Sequence, residues 1–194
     1  NIYNRGPRIK EEDRNRIFQL GYSSRRVRDH HGKGLGLYFV NEICKGFEGS
    51  VDFENIENYE SGLSLRIELL NGEVETHFIA VVEDSGKPLC HLAQSEDAPR
   101  RSLDWSFSSP VTSIEVSSQA SAEPQVINDL LNRENFYHLD NSDVLLPRWV
   151  VEIGNRKRSS KLVFKPLDVR GVRFSVKLPT ALSRLENQDG DVDA

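Results

Sequence analysis

Gly32-Lys33-Gly34-Leu35-Gly36-Leu37 sets three glycines at alternate positions directly ahead of a dense apolar run. A glycine-rich turn that opens a helix lets backbone N–H groups approach phosphate oxygens without Cβ clashes. The helix N-terminus adds partial positive charge. The residues before the turn carry matching chemistry. Ser23 and Ser24 offer hydroxyls, and Arg25, Arg26, Arg28 and Lys33 are cations suited to clamping a triphosphate. A generic solvated loop is the competing reading of the same cations. His30 and His31 lie in this basic stretch and read as solvated loop residues rather than as a metal pair or a phosphoacceptor.

These residues need elements to position them. Ile2 and Tyr3 read as the end of a strand running into a turn at Gly6-Pro7. Residues 10–20 fit a short amphipathic helix, with Glu11, Glu12 and Asp13 as its first-turn charges and Ile17, Phe18 and Leu20 as its apolar face. Residues 21–33 hold few apolar side chains and predict an exposed, mobile loop. From Gly34 the apolar set Leu35, Leu37, Tyr38, Phe39, Val40 and Ile43 is too crowded for one narrow stripe. It predicts a helix packed against a sheet, with Cys44 as a small core residue and Gly46 and Gly49 ending the helix. Residues 50–54 and 63–69 alternate as two strands.

Three blocks thus occur in fixed order: Asn4-Arg5-Gly6-Pro7-Arg8-Ile9, then Arg16-Ile17-Phe18-Gln19-Leu20-Gly21-Tyr22-Ser23-Ser24, then the glycine turn. This set resembles the G1, F and G2 boxes of sensor histidine kinases (HATPase_c) within the wider GHKL superfamily of ATPases. The resemblance covers residues 1–70. It implies a histidine-kinase-type Bergerat ATP-binding fold, an α/β two-layer sandwich with helices on one face of a mixed sheet. The strand pair at 50–54 and 63–69 would end that domain.

The resemblance also implies roles. Asn4 stands where the family's Asp reads the adenine amino group, and Gly6 where a glycine lets adenine lie close to the backbone. Phe18 would anchor the start of an ATP lid running from Tyr22 to His31, which takes in Ser23, Ser24 and Arg25. Gly32, Lys33, Gly34, Leu35, Gly36 and Leu37 would cradle the phosphates. ATP and Mg²⁺ are the implied cofactors. The family's Mg²⁺-coordinating Asn, its phosphoacceptor histidine and its dimerisation helices map upstream of Asn1. The implied activity is the catalytic part of a two-component kinase that phosphorylates a histidine outside this chain. Its implied partners are a response regulator and a second copy joined through upstream helices. A nucleotide-binding-deficient scaffold of the same fold and an ATP-driven conformational clamp are the alternatives. Two departures bear on this: Asn4 cannot supply a charge-assisted bond, and Arg8 replaces a glycine and is strained if its site needs positive φ.

The rest of the chain matches no family we can name. Residues 71–123 read as a β-rich connecting region with strands near 78–82 and 114–116, and a polar linker over 117–123. Residues 124–185 read as an α+β module. A helix would start at Pro124, an ambiguous apolar segment spans 144–153, and strands follow near 161–165 and 172–178. The run from Trp149 to Pro179 echoes the earlier helix–strand–strand order, so a degenerate second ATPase-like half without a glycine turn is one reading, and an unrelated module the other. Its ending looks like the last strand of a kinase ATPase domain. Asp140 and Asp143 near His138 have no site-like spacing. Residues 186–194 form an acidic tail.

Bulk properties set the frame. The chain has 194 residues, 37% hydrophobic and 28% charged, which suits a globular protein. A net charge of −5 gives no footprint for nucleic acid. No apolar run reaches the roughly 18 residues that span a bilayer, so a cytoplasmic location is expected, with any membrane segment upstream. Cys44 and Cys90 form no metal or disulfide pattern.

Overall fold

The chain is described from a computed structural model over residues 1–23, 34–59, 61–118, 123–131 and 135–180. It divides into two compact units, one of residues 1–56 with the segment from Arg170, the other Glu57–Val169. The second unit is therefore an insertion within the first, where the sequence suggested a C-terminal extension beginning near residue 71.

The first unit holds β1 (Ile2–Arg5), a 3-10 turn at Glu11–Asp13, α1 (Gly36–Gly46), β2 (Ser50–Ile56) and β12 (Gly171–Lys177). Its sheet has the order β1-β12-β2, and both ladders are antiparallel, not mixed as expected. β12 supplies the middle strand. Gly171 sits where an added Cβ would lie 2.4 Å from the Asn4 carbonyl oxygen, so only glycine lets β1 cross this closely. Ile17, Phe53 and Val172 form a small core, with Ile9, Phe18, Tyr22, Leu37 and Phe174 packed around it.

Three expectations for this unit need correction. The strand at 63–69 does form, but it does not pair with β2. β2 pairs in register with β12, from Ile56 opposite Gly171 to Ser50 opposite Lys177. Residues 10–20 make the short 3-10 turn and a run of hydrogen-bonded turns instead of an amphipathic helix. One buried apolar residue, Ile17, with the half-buried Phe18 is too little to hold a longer helix against the core. Helix α1 forms as expected and buries Cys44, but Phe39, Ile43 and Phe47 remain more than half exposed, at 53%, 59% and 56%. Its apolar set exceeds what this three-stranded sheet can cover.

The second unit contains β3 (Ser61–Leu69), β4 (Val74–Asp84), β5 (Lys87–Leu92), β6 (Leu103–Phe107), β7 (Val111–Ser118), β8 (Gln125–Ile127), β9 (Phe136–Leu139), β10 (Trp149–Arg156) and β11 (Ser159–Pro166). They form two antiparallel sheets, ordered β5-β4-β3-β7-β8 and β6-β11-β10-β9. β3 shows why they pack: Leu63, Leu65, Ile67 and Leu69 alternate inward with period two. Their core is shared with Trp149, Val151, Leu162 and Phe164 from the other sheet, which makes the unit a β-sandwich.

The helix expected from Pro124 is instead the strand β8, whose Ile127 packs into the sandwich. Asp129 adopts φ 60°, which no right-handed helix tolerates. Residues 149–153, read as the helix of an internal echo, lie in β10, which forms a strand hairpin with β11. The third member of that echo, β12, belongs to the first unit. No helix lies in the second unit among the described residues. The loop expected over 117–123 lies partly, and the acidic tail wholly, outside the described residues.

Candidate nucleotide site

The first block is held by backbone contacts. Asn4 is exposed on β1 opposite Val172. The Gly6 N–H donates to the Arg170 carbonyl at 3.3 Å, and a Cβ added at Gly6 would meet nothing within 4 Å. The backbone face there is open, as close approach of a flat ring requires. Arg8 is not among the positive-φ residues, so the strain that replacing a glycine suggested is absent. Beyond it, Asn55 of β2 clamps Ile9 from both sides. The Ile9 N–H donates to Asn55 Oδ1 at 2.9 Å, and Asn55 Nδ2 donates to the Ile9 carbonyl at 2.8 Å.

The second block turns on one buried carboxylate. Asp13 is 8% exposed and accepts a short hydrogen bond from the Tyr22 hydroxyl. That bond, with burial and the Asp13 charge, pushes the Tyr22 phenol above its ordinary pKa. The Arg16 guanidinium lies 4.7 Å over the Tyr22 ring. Phe18 packs 6.5 Å from Phe53, ring centre to ring centre.

The third block meets the second. Gly34 has φ 62°, and a Cβ there would lie 2.3 Å from the Tyr22 carbonyl oxygen and 2.8 Å from the Gly21 carbonyl carbon. The backbone on either side of residues 24–33 is thus brought into direct contact, and only glycine permits it. Leu35 precedes α1 with no side-chain cap, and the first intrahelical bond is Phe39 N–H to the Leu35 carbonyl at 3.0 Å. The N–H groups of the first helical turn therefore point outward, unbonded by the helix itself, at its positive end. Leu37 of that turn packs in the same cluster as Phe18 and Tyr22.

Of the residues singled out in the sequence, Phe18, Tyr22, Gly34 and Leu37 are brought together, with Leu35 and Gly36 continuing from Gly34. Ser23 follows Tyr22 directly. Asn4 and Gly6 are placed by the separate β1–β12 ladder. Ser24, Arg25, Gly32 and Lys33 lie outside the described residues. Sequence reasoning missed Asn55, because a polar residue in an alternating strand gives no sign of a partner 46 residues away. It placed Asp13 in a first turn without its Tyr22 bond. No group of three or more His, Cys, Asp or Glu side chains is placed to hold a metal among the described residues. No helix among them is long and apolar enough to cross a membrane.

Residues 1–73 match the family model described as histidine kinase-, DNA gyrase B-, and HSP90-like ATPase. No curated protein and no solved structure matches the chain. The matched span runs through β1, α1, β2 and β3, and stops far short of β12, the strand that pairs with both β1 and β2. Over residues 1–73 the chain is thus similar to the histidine kinase-, DNA gyrase B-, and HSP90-like ATPases.

Proposed function

We propose that the first unit is the ATP-binding catalytic region of a two-component sensor histidine kinase. It presents the ATP γ-phosphate to a histidine outside this chain, and the phosphoryl group then passes to a response regulator. The observation that carries this reading is the closure of Gly34 on the Tyr22 backbone beside an uncapped helix N-terminus. Such a turn aims N–H groups at phosphate oxygens, and phosphoryl transfer depends on positioning and charge neutralisation. In this reading Gly34, Leu35, Gly36 and Leu37 hold phosphate with Gly32 and Lys33, while Ser23, Ser24 and Arg25 belong to the covering lid. Asn4 and Gly6 receive adenine, and the Mg²⁺ ligand comes from outside this chain. β12 serves as the last strand of the ATPase fold.

Asn4 favours a second reading, a scaffold of the same fold with weakened nucleotide binding. Its neutral carbonyl replaces a carboxylate, a loss of about 1–2 kcal/mol in a hydrogen bond to adenine. Calorimetric titration of Mg-ATP separates the two. Micromolar binding, lost in Gly34→Val and strengthened roughly tenfold in Asn4→Asp, supports the kinase reading. A folded protein that binds no Mg-ATP even as Asn4→Asp leaves the scaffold.

A further inference from the structure

The hairpin of β10 and β11 ends in a run of cations, Arg156, Lys157, Arg158 and Lys161, in a chain whose net charge is −5. Arg156 pairs with Ser159 across the ladder, which leaves Lys157-Arg158 as a two-residue turn, and Lys161 stands opposite Gly154. Turns of this length favour Asn-Gly and similar pairs, because their central residues take positive φ. Neither Lys157 nor Arg158 does so. Turn geometry therefore does not account for the cations here.

Beside the turn opens a hollow of about 750 Å³, with Ser106, Asn135, Arg156, Lys157, Ser159 and Lys161 in its lining and no carboxylate. Other cations of the chain are matched: Lys45, Arg66 and Lys165 each hold a carboxylate oxygen, at 2.9, 2.5 and 2.6 Å. The side chains of Arg156, Lys157 and Arg158 make no hydrogen bond or ion pair among the described residues, and neither do those of Ser106, Asn135 and Ser159. Lys161 has Asp104 at 4.0 Å, with both side chains 62% exposed, and an exposed pair at that separation holds little. The floor beneath them is fixed. The buried Asn155 donates to the Val111 and Leu130 carbonyls, and the buried Ser160 Oγ donates to the Ser109 carbonyl at 2.8 Å. The unpartnered groups thus share a rigid base, which lowers the entropy cost of gathering a ligand.

Those groups decide what fits. Guanidinium, ammonium, hydroxyl and amide N–H all donate, so the ligand must accept, and the charge must be negative. A carboxylate brings one charge and two oxygens. A phosphoryl group brings about two charges and three acceptor oxygens, a better match to neighbouring cations and hydroxyls, and it suits the arginine fork. A nucleic-acid strand would also need aromatic faces for its bases, and Phe107, the aromatic side chain of the lining, is only 7% exposed. The lining likewise offers no exposed apolar side chain to enter a bilayer. We infer that the hollow beside the β10–β11 turn binds a small soluble phosphate ester or diphosphate. Arg156, Lys157 and Lys161 hold its charge, and Ser106, Ser159 and Asn135 donate to its remaining oxygens. The site lies wholly within the second unit and does not depend on nucleotide binding in the first.

Calorimetric titration of the full chain with pyrophosphate, glycerol 3-phosphate and citrate, at one ionic strength, tests this. Saturable pyrophosphate binding is expected, weakened roughly tenfold or more in Arg156→Gln and in Lys157→Gln, with citrate weaker than pyrophosphate by a similar factor. Both positions are exposed, so the variants should melt at the temperature of the parent. Pyrophosphate held in the first unit would be untouched by them, which tells the two sites apart. No saturable binding of pyrophosphate or glycerol 3-phosphate overturns the inference, as does binding that both variants leave unchanged. Citrate bound as tightly as pyrophosphate overturns the choice of phosphate, and retention on phosphatidic acid vesicles without binding of either soluble phosphate overturns the soluble ligand.

Discussion

Gly34 carries two separate constraints, a left-handed backbone and a space already filled by the Tyr22 carbonyl. A Cβ at φ 62° costs about 1–2 kcal/mol by itself, and the 2.3 Å approach forces the Gly21–Tyr22 backbone to move as well. Gly34→Ala should therefore lower stability by about 2 kcal/mol or more in urea unfolding, within the range for backbone strain. Gly36→Ala is the control, because a Cβ there meets nothing within 4 Å and the position is helical. It should raise stability by about 0.5–1 kcal/mol. Equal effects at the two positions would mean that the Gly34 contact with Tyr22 is not formed in solution. Tyr22 gives a pH test at the same scale. Its hydrogen bond to Asp13 needs the protonated phenol, and its folded pKa is raised. The stabilisation is thus complete below the pKa of an unfolded tyrosine and is lost as pH rises through the folded value. Tyr22→Phe should lower the melting temperature at neutral pH, since Asp13 stays buried without its donor. It should also remove part of the alkaline loss of stability, read as melting temperature against pH. An alkaline limb identical in both proteins would place the titrating group elsewhere.

At the scale of elements, single asparagines join strands to loops that are remote in sequence. Asn55 fixes the chain after the first turn to β2 through two hydrogen bonds with Ile9. Asn55→Ala removes both, for about 1–2 kcal/mol of stability. In the kinase reading it also weakens Mg-ATP binding by loosening the turn that carries Gly6, and calorimetry with a parallel melt reads both. In the sandwich, Asn155 is 6% exposed. Its Nδ2 donates to the Val111 and Leu130 carbonyls at 2.9 and 2.8 Å, and its Oδ1 accepts from the Val111 N–H at 3.0 Å. Asn155→Ala strands three backbone groups and should cost about 3 kcal/mol or more. A smaller loss in denaturant unfolding would mean that water takes over these bonds. The strands themselves were legible: the alternation of Leu63, Leu65, Ile67 and Leu69 fixes both the type and the inward face of β3. Its partners were not. Alternation says which face is buried but not which strand lies alongside, and β3 pairs with β4 and β7 instead of β2.

For the whole molecule, the insertion is the dominant feature. Ile56 and Gly171 are directly paired, so the two points where the chain leaves and re-enters the first unit are neighbours across one ladder. A two-residue Asn-Gly turn spans such a pair. Deleting Glu57–Val169 and joining Ile56 to Gly171 through Asn-Gly should leave a folded unit that keeps the β2–β12 ladder. Amide hydrogen exchange checks this: protection at Phe53 and Phe174 should survive the deletion. Loss of that protection would mean that the first unit needs the sandwich to fold.

The sequence by itself determined the local chemistry: the glycine turn ahead of α1, the apolar anchors Phe18 and Leu37, and most of the strands. These depend on residues within a few positions of one another, where periodicity and backbone freedom act directly. It also placed residues 172–178 as a strand resembling the end of an ATPase domain. Only the tertiary structure decided that this strand lies in the middle of the first sheet, with the whole sandwich inserted before it. Antiparallel pairing between β2 and β12 spans more than a hundred residues of chain. No local pattern encodes such a partner, because loop-closure entropy grows only slowly with length and leaves near and distant strands as competitors. Packing decides between them, and here Gly171 and Val172 fit between β1 and β2 where Leu63 and Leu65 fit the core of the sandwich.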